Sequence, residues 1–247
     1  RRQRQMCIRD RLYVGAKPVF ADIEEETFGL DPEDVERKIT SKTKAIMPIH
    51  YGGMPCRIQE LKKLAEDYNL ILIEDAAESF GAKFKEQFIG TFGDSAIFSF
   101  CHNKVFTTSE GGCVVTHNRK VYERLKLIRS YGRVLSGNYF ENPVHLDYIE
   151  LGYNLRMSTI LAALGVSQLK RVNKTIEIRR RNAEYLNKEL RKIKAIKIPE
   201  ATSSDYYAVY QMYTIRILQG KELRDKMIKF LQGKGITTRL YFNPLHK

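Results

Sequence analysis

Short apolar runs alternate with amphipathic stretches along the chain from residue 17 onwards. The apolar runs predict β-strands, because they are short and rich in branched residues; they cover 17–23, 45–49, 70–74, 95–100 and 112–116. The amphipathic stretches predict helices over 31–39, 58–68 and 119–131. This alternation is typical of a parallel sheet flanked by helices and predicts an α/β fold.

Local residues support two of the predicted helices. Asp31 and Pro32 supply a cap and a first-turn proline to the first helix. The second helix carries apolar side chains at helical spacing, namely Ile58, Leu61, Leu64 and Ala65. Asp75 follows the buried strand 70–74, at the sheet edge where ligand-binding residues gather in open α/β folds.

The helical pattern over 158–193 is longer than an ordinary globular helix and predicts a connection between two domains. A strand over 212–217 and a helix over 221–232 would begin a smaller domain. Residues 1–11 have no amphipathic period and no apolar core of a signal peptide. We predict that they form a non-native tail, because residues 6–10 match the translation of a common sequencing adapter.

The chain carries 42 Lys and Arg against 29 Asp and Glu, a net charge of +13, which favours anionic partners. Much of the charge lies in 170–194, where we expect a solvated helix face; a nucleic-acid patch is the less favoured alternative.

The four cysteines form no CxxC pair, so we expect reduced thiols in a cytoplasmic protein. The apolar runs are too short to span a bilayer. Neither His102 nor His145 has ligand-like spacing, so we predict no metal.

A buried acid and a lysine are candidates for cofactor chemistry. Asp75 could keep a pyridine nitrogen protonated, and Lys104 could form an imine with a cofactor aldehyde. Residue chemistry alone supports this pair weakly, because a lysine in a loop is usually exposed to solvent.

The segments around these two residues resemble the DegT-type sugar aminotransferases in order and spacing. The matching segments are 73–78 (IEDAAE), 92–94 (FGD), 98–104 (FSFCHNK), 107–112 (TTSEGG), 152–157 (GYNLRM), 162–165 (AALG) and 168–169 (QL). The resemblance extends from about residue 12 to residue 246. It implies the three-layer α/β fold of pyridoxal-phosphate (PLP) dependent transferases, the aspartate-aminotransferase-like fold type I. A large PLP-binding domain over 12–160, a connecting helix over 161–193 and a small α/β domain over 194–247 would follow, with both domains incomplete.

The resemblance also implies roles for individual residues. Lys104 corresponds to the lysine that holds PLP as a Schiff base and shuttles a proton. Asp75 corresponds to the partner of the pyridinium nitrogen, and Ser99 to a serine that hydrogen-bonds the cofactor phosphate. Asn154 corresponds to an asparagine that reaches a phosphate across a homodimer interface, so that each active site would need both subunits.

Glu78 corresponds, by the same resemblance, to a position near the phenolic oxygen of the cofactor, where many family members carry Gln or His. The carboxylate resembles the perosamine-synthase-like branch of the family. An ionised Glu beside a phenolate is repulsive, so we expect Glu78 to be protonated, rotated away or bonded to a cation. Arg156, His50 and Arg239 are further candidates for substrate contacts, with a structural role as the alternative for His50 and an ion pair as the alternative for Arg156.

The implied activity is the transfer of an amino group from glutamate, through PLP, to a nucleotide-linked keto sugar such as a 4-keto-6-deoxyhexose. The resemblance further implies a fragment that lacks an N-terminal phosphate loop and the end of a substrate loop, with weak or no activity. Two alternatives stay open. One is a PLP-dependent sugar dehydratase of the same fold, in which a histidine replaces the lysine; the other is a non-catalytic regulatory or nucleic-acid-binding protein.

Overall fold

The computed structural model describes residues 11–134, 148–200 and 203–240. In chain order its main elements are α1 (Pro32–Lys38), β1 (Ala45–Ile46), a 3₁₀ turn (Tyr51–Gly53), α2 (Ile58–Asp67), β2 (Ile71–Asp75), β3 (Lys83–Phe84), β4 (Gln87–Phe88), β5 (Ser95–Ser99), β6 (Gly112–Thr116), α3 (Arg119–Ile128), α4 (Thr159–Leu169), α5 (Val172–Leu190), β7 (Ile196–Lys197), β8 (Tyr206–Tyr207), β9 (Arg216–Ile217) and α6 (Gly220–Gly233).

The largest sheet has the strand order β1-β2-β5-β6. The first three strands are parallel, as the alternating pattern predicts, and β6 runs antiparallel to β5. Their apolar side chains pack with α1 and α2 into one core, which includes Val35, Ile46, Ile58, Leu61, Ala65 and Leu72. The carboxyl ends of β2 and β5 therefore lie side by side, because Asp75 pairs with Ile97.

The predicted cap of α1 is confirmed. The Asp31 side chain accepts a hydrogen bond from the Glu33 amide, and Pro32 lies in the first helical turn. Helix α2 also matches its predicted face, since Ile58, Leu61 and Ala65 are buried.

A small antiparallel sheet pairs β8, in the C-terminal part of the chain, with the hairpin that lies between β2 and β5. Its order is β4-β3-β8, with Phe84 paired to Tyr206. The two-residue turn of the β3–β4 hairpin contains Lys85 at a φ of 51°. The sequence pattern gives no sign of this hairpin, because its turn contains no Gly, Asn or Asp to mark it.

Three strand predictions are wrong in whole or in part. Residues 17–23 form no strand, and Val19 and Phe20 are exposed; only the isolated bridge between Ile23 and Leu30 remains. The strand over 45–49 ends at Ile46, and the segment returns to the sheet only through a bridge from Ile49 to Asp75. The strand over 212–217 is reduced to β9, because Met212 instead pairs its amide with Gly52.

The single helix predicted over 158–193 is also wrong. It is divided into α4, which ends at Leu169, and α5, which begins at Val172, with Lys170 and Arg171 between them. The small or apolar residues that pack inward, Gly165, Val172 and Ile176, keep helical spacing across the break. Periodicity therefore carries no sign of the interruption, and neither Pro nor Gly stands at it.

The charged run 170–194 is not only a solvated face. Arg180 Nη1 donates to the Ala208 carbonyl at 2.8 Å, and its guanidinium lies 3.9 Å from the ring centre of Tyr207. Helix α5 thus fixes the segment that follows β8.

The division at residues 12–160, 161–193 and 194–247 stays a prediction, and the proposed tail falls almost wholly outside the described residues. Among the described helices, none combines the length and the apolar character needed to cross a membrane.

Candidate active site

Lys104 lies in the loop between β5 and β6, and its side chain is turned inward. Only 6% of the residue is exposed, and the ammonium Nζ lies 3.6 Å from Glu78 Oε1. A tight turn brings the lysine back to the sheet, because its amide donates to the Cys101 carbonyl at 3.0 Å. Such burial is unusual for a lysine and calls for a partner, which Glu78 supplies.

Glu78 connects Lys104 to a second loop. Its Oε2 accepts a hydrogen bond of 2.8 Å from the Gly52 amide, in the 3₁₀ turn after β1. Of the three arrangements expected for this carboxylate, the observed geometry corresponds to pairing with a cation. Gly52 has a φ of 64°, a left-handed conformation that glycine adopts without strain.

The surroundings of Lys104 change the pKa of its side-chain amine. Burial lowers the pKa of Lys104, and the negative charges of Glu78 and Asp75 oppose this effect, so that the net pKa lies below its usual value. A lowered pKa increases the fraction of neutral amine near pH 7, and the neutral amine is the nucleophilic form.

Asp75 lies at the strand end predicted for it, and Ser99 lies at the corresponding end of the neighbouring strand. Asp75 is the last residue of β2 and is 4% exposed, and its Oδ1 accepts a hydrogen bond from the Ala77 amide. Ser99 is the last residue of β5, and its hydroxyl accepts from the Cys101 amide at 3.4 Å. The structure therefore gathers Asp75, Glu78, Ser99 and Lys104 at the carboxyl ends of neighbouring strands.

His50 has a structural role, which was the alternative to a substrate contact. The residue is fully buried, its Nδ1 accepts from the Cys56 amide, and its Nε2 lies 3.1 Å from Glu74 Oε2. The amide donation to Nδ1 leaves the proton on Nε2, facing the carboxylate. Both ring nitrogens are thus used inside the core.

Glu74 is a structural carboxylate that sequence analysis did not single out. Besides His50 it accepts the amides of Gly90, Phe92 and Gly93 at 2.7 to 2.8 Å, and it therefore holds the loop that leads into β5. Burial raises the pKa of the Glu74 carboxyl, but the hydrogen bonds to its charged form outweigh burial and lower the net pKa.

The structure does not bring Asn154, Arg156 or Arg239 into this group. Asn154 and Arg156 are exposed; Asn154 Oδ1 accepts from Arg156 Nε at 3.1 Å, and the Arg156 guanidinium lies over the ring of Tyr131. Arg239 is exposed in the segment after α6.

A cysteine, a histidine and a glutamate lie together in the Lys104 loop. Cys101 Sγ is 3.4 Å from His102 Nδ1 and 3.7 Å from Glu110 Oε1. These three groups are close enough to hold a metal ion, although His102 and Glu110 are exposed. Sequence spacing could not reveal this cluster, and the absence of a metal stays a prediction; His145 lies outside the described residues.

The residues present fit PLP. A buried lysine amine with a lowered pKa suits the capture of an aldehyde, and a buried aspartate on the next strand end suits a ring N–H. Lys104, Asp75 and Ser99 would hold the cofactor's aldehyde, ring nitrogen and phosphate, respectively. A mixed sheet flanked by helices, with a lysine and carboxylates at the carboxyl ends of its strands, agrees with the fold type I arrangement of PLP-dependent transferases that the resemblance implies.

The chain belongs to the DegT/DnrJ/EryC1/StrS aminotransferase family, whose model matches residues 10–247. It is 38% identical over 234 residues to the GDP-perosamine synthase of Escherichia coli O157:H7, covering 95% of this chain and 61% of the relative. The resemblance to this family and to its perosamine-synthase-like branch is thus confirmed. The chain spans about three fifths of the length of the curated relatives that it matches.

Solved structures agree with the fold. The aminotransferase TlmJ from Streptoalloteichus hindustanus superposes with a TM-score of 0.87 at 26% identity, over 95% of this chain and 62% of that one. The Escherichia coli GDP-4-keto-6-deoxy-D-mannose-3-dehydratase with bound hydrated PLP has a TM-score of 0.83 at 29% identity, over 93% of this chain and 61% of that one.

Proposed function

We propose that the protein of which this chain is part is a PLP-dependent aminotransferase that moves an amino group from glutamate to a nucleotide-linked keto sugar. The observation that supports this most is the buried Lys104 amine, paired with Glu78 at the carboxyl edge of the sheet. A buried, paired lysine with a lowered pKa is suited to covalent catalysis, whereas a surface lysine is not.

Each residue of the site has a role in this proposal. Bound PLP supplies an electron sink that stabilises negative charge on the substrate carbon. Lys104 holds the cofactor and, when displaced by substrate, carries a proton at Nζ. Asp75 accepts the hydrogen bond of the ring nitrogen and keeps that proton in place. Ser99 donates its hydroxyl to the phosphate.

Glu78 balances the charge of Lys104 in this proposal. While Nζ is protonated, the carboxylate stabilises it at 3.6 Å; the Gly52 amide keeps the carboxylate in position after the proton leaves. Glu78 would lie near the phenolic oxygen of the cofactor in this proposal. Its negative charge is offset there either by the Lys104 ammonium or by the Gly52 amide.

A 4-keto-6-deoxy sugar linked to a nucleoside diphosphate is the substrate class that we propose. Relatives at 36–38% identity carry the name GDP-perosamine synthase. The net charge of +13 suits a diphosphate-bearing substrate, and glutamate is the proposed amino donor. A nucleotide-linked sugar as substrate fits a cytoplasmic location, and so do the free thiols of Cys56, Cys101 and Cys113.

A second copy of the chain is the proposed partner. The surface around Asn154 is strongly apolar and exposed: Leu151 is 84%, Leu155 67% and Ile160 81% accessible. Apolar surface of this kind marks an interaction site. In a homodimer Asn154 would lie in the interface, where it can reach the phosphate held by the other subunit.

The dehydratase alternative has one supporting observation, the fold match to the Escherichia coli enzyme. Lys104 argues against it, because the dehydratases of this fold carry a histidine at the lysine position. The nucleic-acid-binding alternative is weakened by Arg179 and Arg180, which donate to main-chain carbonyls within the molecule.

Borohydride trapping tests the proposal. The full-length protein of which this chain is part is incubated with PLP, reduced with borohydride and digested, and the labelled peptide is identified by mass spectrometry. We expect a yellow protein and a label on Lys104, with Lys85, a surface lysine, unlabelled. A protein that stays colourless, or a label spread over surface lysines, would contradict the enzyme assignment. Glutamate and a panel of nucleotide keto sugars then identify the substrate, and release of the unaminated deoxy product would favour the dehydratase.

A further inference from the structure

The side chain of Gln211 contacts the main chain on both sides of Lys104. Its Oε1 accepts a hydrogen bond of 2.8 Å from the Val105 amide, and its Nε2 donates one of 2.7 Å to the Asn103 carbonyl. Gln211 comes from the segment after β8, more than 100 positions further along the chain.

These two hydrogen bonds restrain both backbone dihedrals of Lys104. The Asn103 carbonyl belongs to the peptide plane that precedes the Lys104 Cα, and the Val105 amide belongs to the plane that follows it. Because the amide group of Gln211 is planar and short, it fixes the two planes relative to each other. The direction in which the Lys104 side chain leaves the backbone is thereby set.

Gln211 is itself held from two sides. Arg179 Nη1 donates to the carbonyls of Tyr210 and Gln211 at 3.1 and 3.3 Å. The neighbouring amides of Val209 and Met212 donate to the 3₁₀ turn at Gly53 and Gly52. This close approach requires a glycine, because a Cβ on Gly53 would lie 2.8 Å from the Gln211 nitrogen.

The same segment therefore supports both members of the lysine–carboxylate pair. Gln211 holds the backbone of Lys104, and Met212 holds Gly52, whose amide binds Glu78. A relative shift of the loop and the turn would alter the 3.6 Å separation between Glu78 and Lys104.

We propose that Gln211 is a positioning residue, which orients Lys104 for reaction by clamping the two peptide groups that flank it. This role rests on one part of the proposed function, namely that Lys104 is the lysine that binds the cofactor. The clamp itself is a property of the chain and can be measured without the cofactor.

Two substitutions separate the hydrogen bonds from the shape. Gln211→Met keeps the length of the side chain and removes both bonds, whereas Gln211→Glu keeps the acceptor for the Val105 amide and removes the donor to Asn103. Gln87→Met is the matched control, because Gln87 also donates to a main-chain carbonyl, that of Thr91, away from the site.

Hydrogen exchange followed by mass spectrometry on the cofactor-free protein tests the clamp. We expect Gln211→Met to accelerate exchange at Val105 roughly two- to tenfold, the equivalent of one lost hydrogen bond. Gln211→Glu should have a smaller effect and Gln87→Met none at this site. An unchanged exchange rate at Val105 in Gln211→Met would overturn the proposal, regardless of the activity of the variant.

The rate of PLP attachment to Lys104, trapped with borohydride, tests the positioning role. We expect Gln211→Met to slow attachment roughly 5- to 30-fold relative to Gln87→Met, the equivalent of freeing the backbone of one residue, at a temperature where both variants are fully folded. Equal attachment rates in both variants would contradict the role. Failure of the unsubstituted full-length protein to attach PLP would instead contradict the proposed function, while the exchange result still decides the clamp.

Discussion

Glu78 Oε1 lies 3.6 Å from Lys104 Nζ, and both side chains are almost completely buried. Burial and charge act on Lys104 in opposite directions. Burial lowers the pKa of Lys104 more than the nearby carboxylates of Glu78 and Asp75 raise it. Since the folded pKa lies below the unfolded one, folding releases a proton from Lys104 at intermediate pH. The contribution of this group to stability therefore increases as the pH rises through its folded pKa.

Replacement of Glu78 by Gln should lower the pKa of Lys104 further. The substitution removes the nearest opposing charge and leaves burial unchanged, so the neutral amine should form at lower pH. The measurement is the pH dependence of pulsed amine labelling at Lys104, read by mass spectrometry. Glu86→Gln is the control, because Glu86 pairs with Lys83 at a similar distance on the surface. A midpoint that moves to higher pH would contradict the assigned electrostatics.

Replacement of Glu74 by Gln should destabilise the protein strongly. Glu74 accepts hydrogen bonds from His50 and from three loop amides, and an amide NH₂ group in its place would face a donor. We expect a loss of at least about 1.5–3 kcal/mol, the contribution of one hydrogen bond to a charged acceptor. Urea unfolding measures it, with the exposed Glu66→Gln as the control. Equal unfolding midpoints for the two variants would show that the network carries little stability.

The central sheet could be predicted from sequence because its strands are apolar runs that end in turn-forming residues. Strand β2 and its terminal Asp75 follow from this pattern, and so does the loop that carries Lys104 between β5 and β6. Sequence patterns describe contacts between near neighbours and the burial of one face. They therefore placed Asp75 at the carboxyl end of its strand, whereas the interest of Ser99 came from the family resemblance alone.

Features that depend on distant contacts were not predicted. Gln211 reaches the Lys104 loop across more than 100 positions, and no local property distinguishes it from an exposed glutamine. Residues 17–23 have the composition of a strand, yet a strand also needs a neighbour with free main-chain groups. The break at Arg171 lies within an uninterrupted helical pattern, so only the packing of the two helices reveals it.

Acid should weaken the N-terminal part of the fold through Asp34. Hydrogen bonds from Lys38 and from the Asp22 amide lower the pKa of Asp34 from 3.8 to about 2. Because the folded pKa is the lower one, the stabilisation is fully present above the unfolded value and is lost as the pH falls towards about 2. Unfolding of Asp34→Asn should therefore depend less on pH in this window than unfolding of the unsubstituted protein. Parallel pH profiles for the two proteins would contradict this assignment.

A charge placed in the apolar surface around Asn154 should prevent self-association. Ile160 is 81% exposed within one chain, so Ile160→Glu costs the isolated chain little, whereas in a homodimer interface it would bury an unpaired carboxylate. We expect the dissociation constant measured by analytical ultracentrifugation to rise at least roughly tenfold, a change equivalent to about 1.4 kcal/mol. Leu218→Glu is the matched control, because Leu218 is 55% exposed at a position remote in sequence from Asn154. If Ile160→Glu leaves the association unchanged and Leu218→Glu weakens it, the interface lies elsewhere, and Asn154 cannot then reach the phosphate of a partner subunit through this surface.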